Sequence, residues 1–246
     1  MKMDIIQMGW GDMSFTDSGG TTPPLLFLHG TGCDSADWSP VIDYLPSDQR
    51  YLTLDFRGHG NSDVPTELFT FQDLADDVIA FLDGQNIREV VLVGHSLGGM
   101  VSMNVASRCS TVVGLVLLEG WTHLKSAGIA FDSDRFYGTL NEADIISIKK
   151  KSDETLSRFN PGIWQQFWKS VTTFNGYNWL EHASIPIYEV FGEMGRNDET
   201  EHFLHIPPNP YIHIKWISDA GHYLPHECPM EVAEICTEFL TSLNTD

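Results

Sequence analysis

Residues 90–106 read VVLVGHSLGGMVSMNVA, and this stretch decides the fold. Four apolar residues, Val90 to Val93, stop at a glycine, and the apolar spacing becomes helical beyond the turn. The pattern predicts a buried strand, a sharp turn and a helix. Within the turn, Gly94, Ser96 and Gly98 form the pattern G-x-S-x-G, which predicts a serine hydroxyl standing exposed above the end of the strand.

The length and the charge of the chain limit what it can be. Its 246 residues, of which 42% are hydrophobic, predict a single α/β domain with an insertion. The 14 Lys and Arg residues against 34 Asp and Glu residues leave a formal net charge of -20, which repels nucleic acid backbones and anionic membrane surfaces. We therefore expect neither nucleic acid nor a membrane as a partner.

The N-terminus and the cysteines predict a cytoplasmic protein. Residues 1–10 contain no apolar core of a signal peptide, and no apolar run approaches the length of a membrane span. The four cysteines are far apart and form no C-x-x-C pair: Cys33, Cys109, Cys228 and Cys236. This spacing favours reduced thiols over a zinc site or a disulfide framework, so no metal is expected.

Strand and helix patterns alternate over the rest of the chain. Nearly continuous apolar runs predict strands at Leu25–Leu28, Tyr51–Asp55, Val112–Leu118, Ile187–Phe191 and Tyr211–Ile217. A helical pattern begins after Thr70, another covers Glu231–Leu240, and two short runs near the N-terminus predict an edge hairpin. This alternation indicates an α/β fold with a mostly parallel, doubly wound sheet that is covered on both faces.

One segment, residues 121–180, interrupts the alternation with many aromatic residues and no strand pattern. We interpret it as a helical cap inserted over the carboxyl ends of the strands, which leaves residues 1–120 and 181–246 as the core. Most of the aromatic rings are expected to pack the cap onto the core. Three tryptophans are candidates for lining a substrate pocket: Trp121, Trp164 and Trp168.

Four motifs occur in order along the chain: HGTG at 29–32, DFRGHGNSD at 55–63, GHSLGG at 94–99 and DAGHYLPHECP at 219–229. Together they resemble the motifs of the α/β-hydrolase fold family over essentially the whole length. The resemblance implies that Ser96 is the nucleophile and His222 the general base. It also implies that the backbone N–H groups of Thr31 and Leu97 form an oxyanion hole.

The chemistry of a serine nucleophile supports the same assignment. A hydroxyl attacks at neutral pH only when a base takes its proton, and histidine is the side chain whose usual pKa suits this role. His222 is the candidate base, and His226 is its nearest rival. His29, His59 and His95 lie in glycine-rich turns, where a ring can hold loops by hydrogen bonds, so we expect structural roles for them.

The acid of the triad is where this chain departs from the commonest pattern of the family. That pattern places an aspartate three residues beyond the glycine that ends the strand after the cap, and this position is Gly195 here. Some members, haloalkane dehalogenases among them, carry the acid at the end of the strand before the cap, where this chain has Glu119. We therefore predict Glu119 as the acid, with Glu193 and Asp198 as alternatives.

The identity of the nucleophile narrows the function. A serine argues against dehalogenase and epoxide hydrolase chemistry, because those members of the fold carry an aspartate there. The resemblance implies instead that a small to medium, partly apolar carboxylic ester is hydrolysed through an acyl-enzyme without a cofactor. A lactonase, a C–C bond hydrolase and a cofactor-free perhydrolase use the same triad and remain alternatives. A ligand receptor with slow or no turnover is the alternative from another class, because the usual aspartate is missing.

Overall fold

An eight-stranded sheet lies at the centre of the computed structural model, which describes residues 3–131, 136–194 and 198–243, the side chains of 129–131 and 198–200 excepted. The strands are β1 (Asp4–Met8), β2 (Gly11–Asp17), β3 (Leu25–Leu28), β4 (Tyr51–Leu54), β5 (Val90–His95), β6 (Val112–Leu118), β7 (Ile187–Gly192) and β8 (Ile212–Ile217). They lie side by side in the order β1-β2-β4-β3-β5-β6-β7-β8. Strand β2 is antiparallel to β1 and β4, and the remaining pairs are parallel. The predicted mostly parallel α/β sheet is confirmed.

Helices lie between most of the strands. They are α1 (Ser39–Ile42), α2 (Phe71–Gly84), α3 (Leu97–Ala106), α4 (Glu142–Ser157), α5 (Pro161–Val171), α6 (Tyr177–His182), α7 (Leu224–Glu227) and α8 (Pro229–Leu243). Short 3₁₀ helices occur at Ser35–Trp38, Leu124–Phe131 and Asp198–Leu204. Helix α2 begins where its sequence predicts, because the N–H of Thr70 donates to the Asp73 carboxylate at 2.7 Å.

The sheet has an apolar core on each face, because successive side chains of a strand point to opposite faces. In β3, Leu26 and Leu28 pack into the core that contains α2 and α3, whereas Leu25 and Phe27 pack into the core that contains α8. Helix α3 is buried from Leu97 to Val105, so it lies deep between the sheet and α2. The doubly wound arrangement follows from these two cores.

The chain between β6 and β7 contains α4, α5 and α6, and we refer to this segment as the cap. Phe159 and Phe167 of the cap enter the same core as α2 and α3. Arg158, at the end of α4, donates to the carbonyl oxygens of Gly60 and Ser62 at 2.7 and 2.8 Å. Apolar packing and hydrogen bonds therefore both hold the cap on the core.

The carboxyl ends of the parallel strands converge on one edge of the sheet, as they must in any parallel sheet. Strand β3 leads into the loop of Thr31, and β5 leads directly into Ser96. Strand β6 leads into Glu119, and β8 into the loop that carries His222. Residues that are far apart in the sequence thus meet at this edge.

Candidate active site

Ser96 lies on the turn between β5 and α3 in a strained backbone conformation. Its φ of 54° and ψ of -116° fall in a region that residues with side chains rarely adopt. The turn passes very close to β3, and a Cβ at Gly98 would lie 2.7 Å from the carbonyl oxygen of His29. Glycine at this position therefore allows the tight turn that places the serine beyond the strand end.

The side chain of Ser96 opens into a cavity rather than into bulk solvent. Ser96 is only 9% exposed, which differs from the exposed hydroxyl that the turn alone predicts. The physical reason is the cap, since residues of α4 and α5 form the opposite wall of a cavity of about 310 Å³. The lining includes both polar and apolar groups, among them Thr31, Ser96, Leu97, His222, Met100, Leu124, Ile148, Trp168 and Val171.

The two residues whose backbone N–H groups are expected to form an oxyanion hole, Thr31 and Leu97, both line this cavity. Thr31 follows β3, and Leu97 is the first residue of α3, where an N–H group has no acceptor within the helix. Among the described residues, neither N–H donates a backbone hydrogen bond. Both groups are thus available to a substrate oxygen.

His222 lines the same cavity and is held from several sides. Its ring stacks between Trp121 and Phe136, whose centroids lie 5.1 and 4.7 Å away. The Nε2 atom of His95 bonds the carbonyl oxygen of His222 at 2.8 Å. Burial lowers the pKa of His95 well below its usual value, so this ring stays neutral and donates through Nε2. His95 therefore has the structural role that its position in the turn predicts.

Glu119 lies behind His222 and is completely buried. Its Oε2 atom is 3.5 Å from Nδ1 of His222, a long contact, and accepts the indole N–H of Trp121 at 3.3 Å. Its Oε1 atom accepts the N–H of Gly192 at 3.0 Å. Ser96 and His222 thus line one cavity, and the carboxylate of Glu119 lies next to Nδ1 of the imidazole. This arrangement can orient the ring and stabilise a positive charge on it.

Two of the alternative site residues, Glu193 and His226, have hydrogen-bond partners other than His222 or Glu119. Glu193 accepts a hydrogen bond from the Ser218 hydroxyl at 2.8 Å. Gly195 and the side chain of Asp198 fall outside the described part of the chain. His226 bonds Asp37 at 2.9 Å and is not among the described residues that line the cavity.

Sequence reasoning missed Glu227, which holds the loop of His222. Its carboxylate accepts the N–H groups of Gly221 and Tyr223, the two chain neighbours of His222, at 2.8 and 2.9 Å. It also accepts the N–H of Thr139 in the cap at 3.0 Å. A clue was present in the stretch HYLPHE, where a one-turn helix right after His222 returns its last side chain to the loop.

A second buried carboxyl group, Glu189, lies close to the proposed acid. It pairs with Leu117 across β6 and β7, two residues before Glu119, and neither of its oxygens has a hydrogen-bond partner among the described residues. Burial, together with the charge of Glu119, raises the pKa of Glu189 to about 8. Glu189 is therefore mostly neutral at pH 7. Glu119, in contrast, accepts hydrogen bonds from the N–H groups of Gly192 and Trp121.

The three candidate tryptophans of the pocket divide into two groups. Trp121 and Trp168 line the cavity. Trp164 is not among the described lining residues, which corrects its predicted place in the pocket. The reason is that its ring packs on Phe159 and Phe167, with centroids 4.8 and 5.1 Å away, and so joins the cap to the core.

Neither a membrane helix nor a metal cluster is present in the part of the chain that the structure describes. No helix there is long and apolar enough to cross a membrane. The described His, Cys, Asp and Glu side chains form no group of three or more that is placed to bind a metal ion. All four cysteines are free.

Comparison with known proteins gives an independent view of the chain. Residues 25–235 match the sequence model of the alpha/beta hydrolase family. An aligned stretch of 81 residues is 40% identical to 3-oxoadipate enol-lactonase 1 of Acinetobacter baylyi. This stretch covers 33% of this chain and 30% of that protein. Another aligned stretch, of 145 residues, is 27% identical to a putative esterase/lipase of Haemophilus influenzae. It covers 59% of this chain and 48% of that protein. The chain thus spans less than half the length of these curated relatives.

Solved structures show the same fold over the whole chain. A thermophilic esterase from Thermogutta terrifontis superimposes with a TM-score of 0.77 at 21% identity, and the match covers 100% of both chains. An enol-lactonase from Burkholderia xenovorans superimposes with a TM-score of 0.76 at 17% identity, covering 97% of this chain and 100% of the other. At these identities the likeness is one of fold.

Proposed function

This chain belongs to the alpha/beta hydrolase family, and we propose that it is a serine-dependent hydrolase that cleaves a carboxylic ester of a small to medium, partly apolar substrate. One observation carries the proposal: a single cavity is lined by Ser96, His222, Thr31 and Leu97, the groups that acyl transfer requires. The similarity to a putative esterase/lipase supports it.

In the proposed reaction, Ser96 attacks the ester carbonyl carbon while His222 takes the hydroxyl proton. The carbonyl oxygen becomes negatively charged and accepts hydrogen bonds from the N–H groups of Thr31 and Leu97. Glu119 stabilises the imidazolium through Nδ1. The alcohol leaves with the proton from His222, and water then attacks the acyl-enzyme with His222 acting as the base again.

The cavity also limits the proposed substrate. Its volume of about 310 Å³ lies at the small end of the range for ligand pockets, about 300 to 1,000 Å³. Apolar side chains from α3 and the cap, including Met100, Trp168 and Val171, suit an apolar acyl group. Lys149 and Asp153 line the cavity and are themselves exposed, so a polar end of the substrate would face them.

A lactone hydrolase is the second candidate, favoured by the similarity to an enol-lactonase. A lactone is an internal ester, so the same nucleophile, base and oxyanion hole act on it. The two candidates differ in whether the alcohol leaves after the first step or stays attached to the acyl group.

A fluorophosphonate probe tests the proposal directly, because only an activated serine reacts with it. We expect stoichiometric labelling of the wild-type protein at Ser96, located by peptide mass spectrometry, and hydrolysis of short-chain p-nitrophenyl esters. Ser96→Ala should lose both activities and keep its circular dichroism spectrum. Ser107→Ala, an exposed serine just beyond α3, is the matched control and should keep both. A folded wild-type protein that is not labelled would show that the proposal is wrong.

A further inference from the structure

Asp37 connects three parts of the molecule at a single carboxylate. It lies on the 3₁₀ helix Ser35–Trp38, directly after the loop of Thr31, and is 8% exposed. Its Oδ2 atom accepts the N–H of Asp34 at 2.8 Å, which closes the end of that loop. Its Oδ1 atom contacts Nζ of Lys151 and Nε2 of His226, each at 2.9 Å.

The first connection runs to the cap through α4. Lys151 also binds Oδ1 of Asp34 at 2.8 Å. One ammonium group thus holds the carboxylates of Asp34 and Asp37, which together form a capping box at the start of the 3₁₀ helix. The neighbouring Ser152 packs directly on the loop of Thr31, which we call the oxyanion loop. The contact is so close that a Cβ at Gly32 would lie 2.9 Å from the Ser152 Cβ. Helix α4 is therefore seated on the loop that carries the Thr31 N–H.

The second connection runs to the loop of His222. His226 lies on α7, which begins two residues after His222. The next residue, Glu227, holds the N–H groups on both sides of His222. A shift of α7 would therefore displace the imidazole, and the bond between His226 and Asp37 links α7 to the 3₁₀ helix that follows the loop of Thr31.

The charges of this cluster favour the arrangement. Burial acts to raise the pKa of Asp37, but the hydrogen bond from His226 and the charge of Lys151 hold it well below its usual value. Burial acts to lower the pKa of Lys151, but the charges and hydrogen bonds of Asp37 and Asp34 raise it. Both groups are charged at neutral pH. Removing Lys151 would leave the buried Asp37 carboxylate without its ammonium partner.

We propose that Asp37 is a positioning residue that couples the seating of the cap to the geometry of both the oxyanion hole and His222. The carboxylate touches no reacting atom. It acts through Lys151 on the cap, through the Asp34 N–H on the oxyanion loop and through His226 on the histidine loop. The inference rests on the proposed function, because it assigns Asp37 a part in that reaction.

Arg158 provides a matched comparison for Lys151. Lys151 reaches the core from within α4 and Arg158 from the end of that helix, but Arg158 donates to the carbonyl oxygens of Gly60 and Ser62. This contact reaches neither the loop of Thr31 nor the loop of His222 directly. If both side chains only stabilise the fold, replacing either should change kcat to a similar extent. If Lys151 acts in positioning, replacing Lys151 should lower kcat more than replacing Arg158.

The experiment compares Lys151→Met with Lys151→Arg and Arg158→Met. For p-nitrophenyl ester hydrolysis, we expect Lys151→Met to lower kcat by about 10- to 100-fold with a smaller change in KM, because reacting groups lose alignment. Lys151→Arg should restore most of kcat, since it keeps the charge. Arg158→Met should stay within about twofold of wild type in kcat. His226→Leu removes the bond between His226 and Asp37 and should also lower kcat. It replaces Lys151→Met as the test if that variant does not fold.

Hydrogen–deuterium exchange provides a readout that does not need activity. In Lys151→Met, peptides covering residues 30–38 and 221–228 should exchange faster than in wild type, and in Arg158→Met they should not. Equal effects of the two variants on kcat, or unchanged exchange of both peptides in Lys151→Met, would overturn the inference. Faster exchange without a fall in kcat would also overturn it, since the coupling would then not position the reacting groups. Failure of the proposed function is distinguishable, because the wild-type protein would then escape the fluorophosphonate probe.

Discussion

Replacing Glu119 by Gln is the sharpest test of the triad, because it changes the charge of a buried group and keeps its shape. Glu119 is 0% exposed, and its Oε2 lies 3.5 Å from Nδ1 of His222. At this distance and an effective dielectric constant of about 20, a carboxylate and an imidazolium attract each other by about 5 kcal/mol. Since about 1.4 kcal/mol corresponds to a factor of ten, complete loss of this attraction would lower kcat by roughly 10³-fold.

The assay is the initial rate of p-nitrophenyl ester hydrolysis, with active sites counted by the fluorophosphonate probe. The matched control is Glu193→Gln, because Glu193 contacts Ser218 and should leave kcat near the wild-type value. The melting temperature of each variant shows whether the loss reflects the charge or a disturbed fold, since the amide that Glu119→Gln introduces must still accept the N–H of Gly192. The reasoning would be refuted if Glu119→Gln kept near-normal turnover while Glu193→Gln or Asp198→Asn lost it.

Three further predictions follow from single contacts. Trp168→Ala should make p-nitrophenyl esters with longer acyl chains the preferred substrates, with a change in relative kcat/KM worth about 1 to 3 kcal/mol. Trp164→Ala should only lower the melting temperature, and the same chain-length profile in both variants would contradict this. Burial raises the pKa of Glu189 to about 8 in the folded protein, so the free energy of unfolding should be greatest below pH 4.5 and should fall as the pH rises to about 8, by an amount on the order of 4 kcal/mol. Urea unfolding at several pH values should show that Glu189→Gln abolishes this fall, and the same pH dependence in both proteins would count against it. Glu227→Gln should lower kcat by about tenfold with little change in KM, because the loop of His222 loses an acceptor, and an unchanged kcat would argue for a purely structural role.

The sequence was sufficient for the parts that depend on local patterns. A buried strand and a tight glycine turn can be recognised from consecutive residues, because the apolar run and the two glycines around Ser96 each have one simple physical explanation. The alternation of such units predicted the parallel sheet, and parallel strands necessarily bring their carboxyl ends to one edge. The resemblance to the α/β-hydrolase family named Ser96, Glu119 and His222 from the sequence. The parallel sheet explains how residues so far apart in the chain can meet.

Only the tertiary structure decided what depends on the approach of distant segments. The cap turned the expected exposed hydroxyl of Ser96 into a nearly buried one. It also placed Trp168 at the cavity and Trp164 against Phe159 and Phe167. The bonds from Asp37 to Lys151 and His226 span 114 and 189 residues of the chain. No local pattern encodes such contacts, because the helical period specifies which side chains share a face and not what that face will meet.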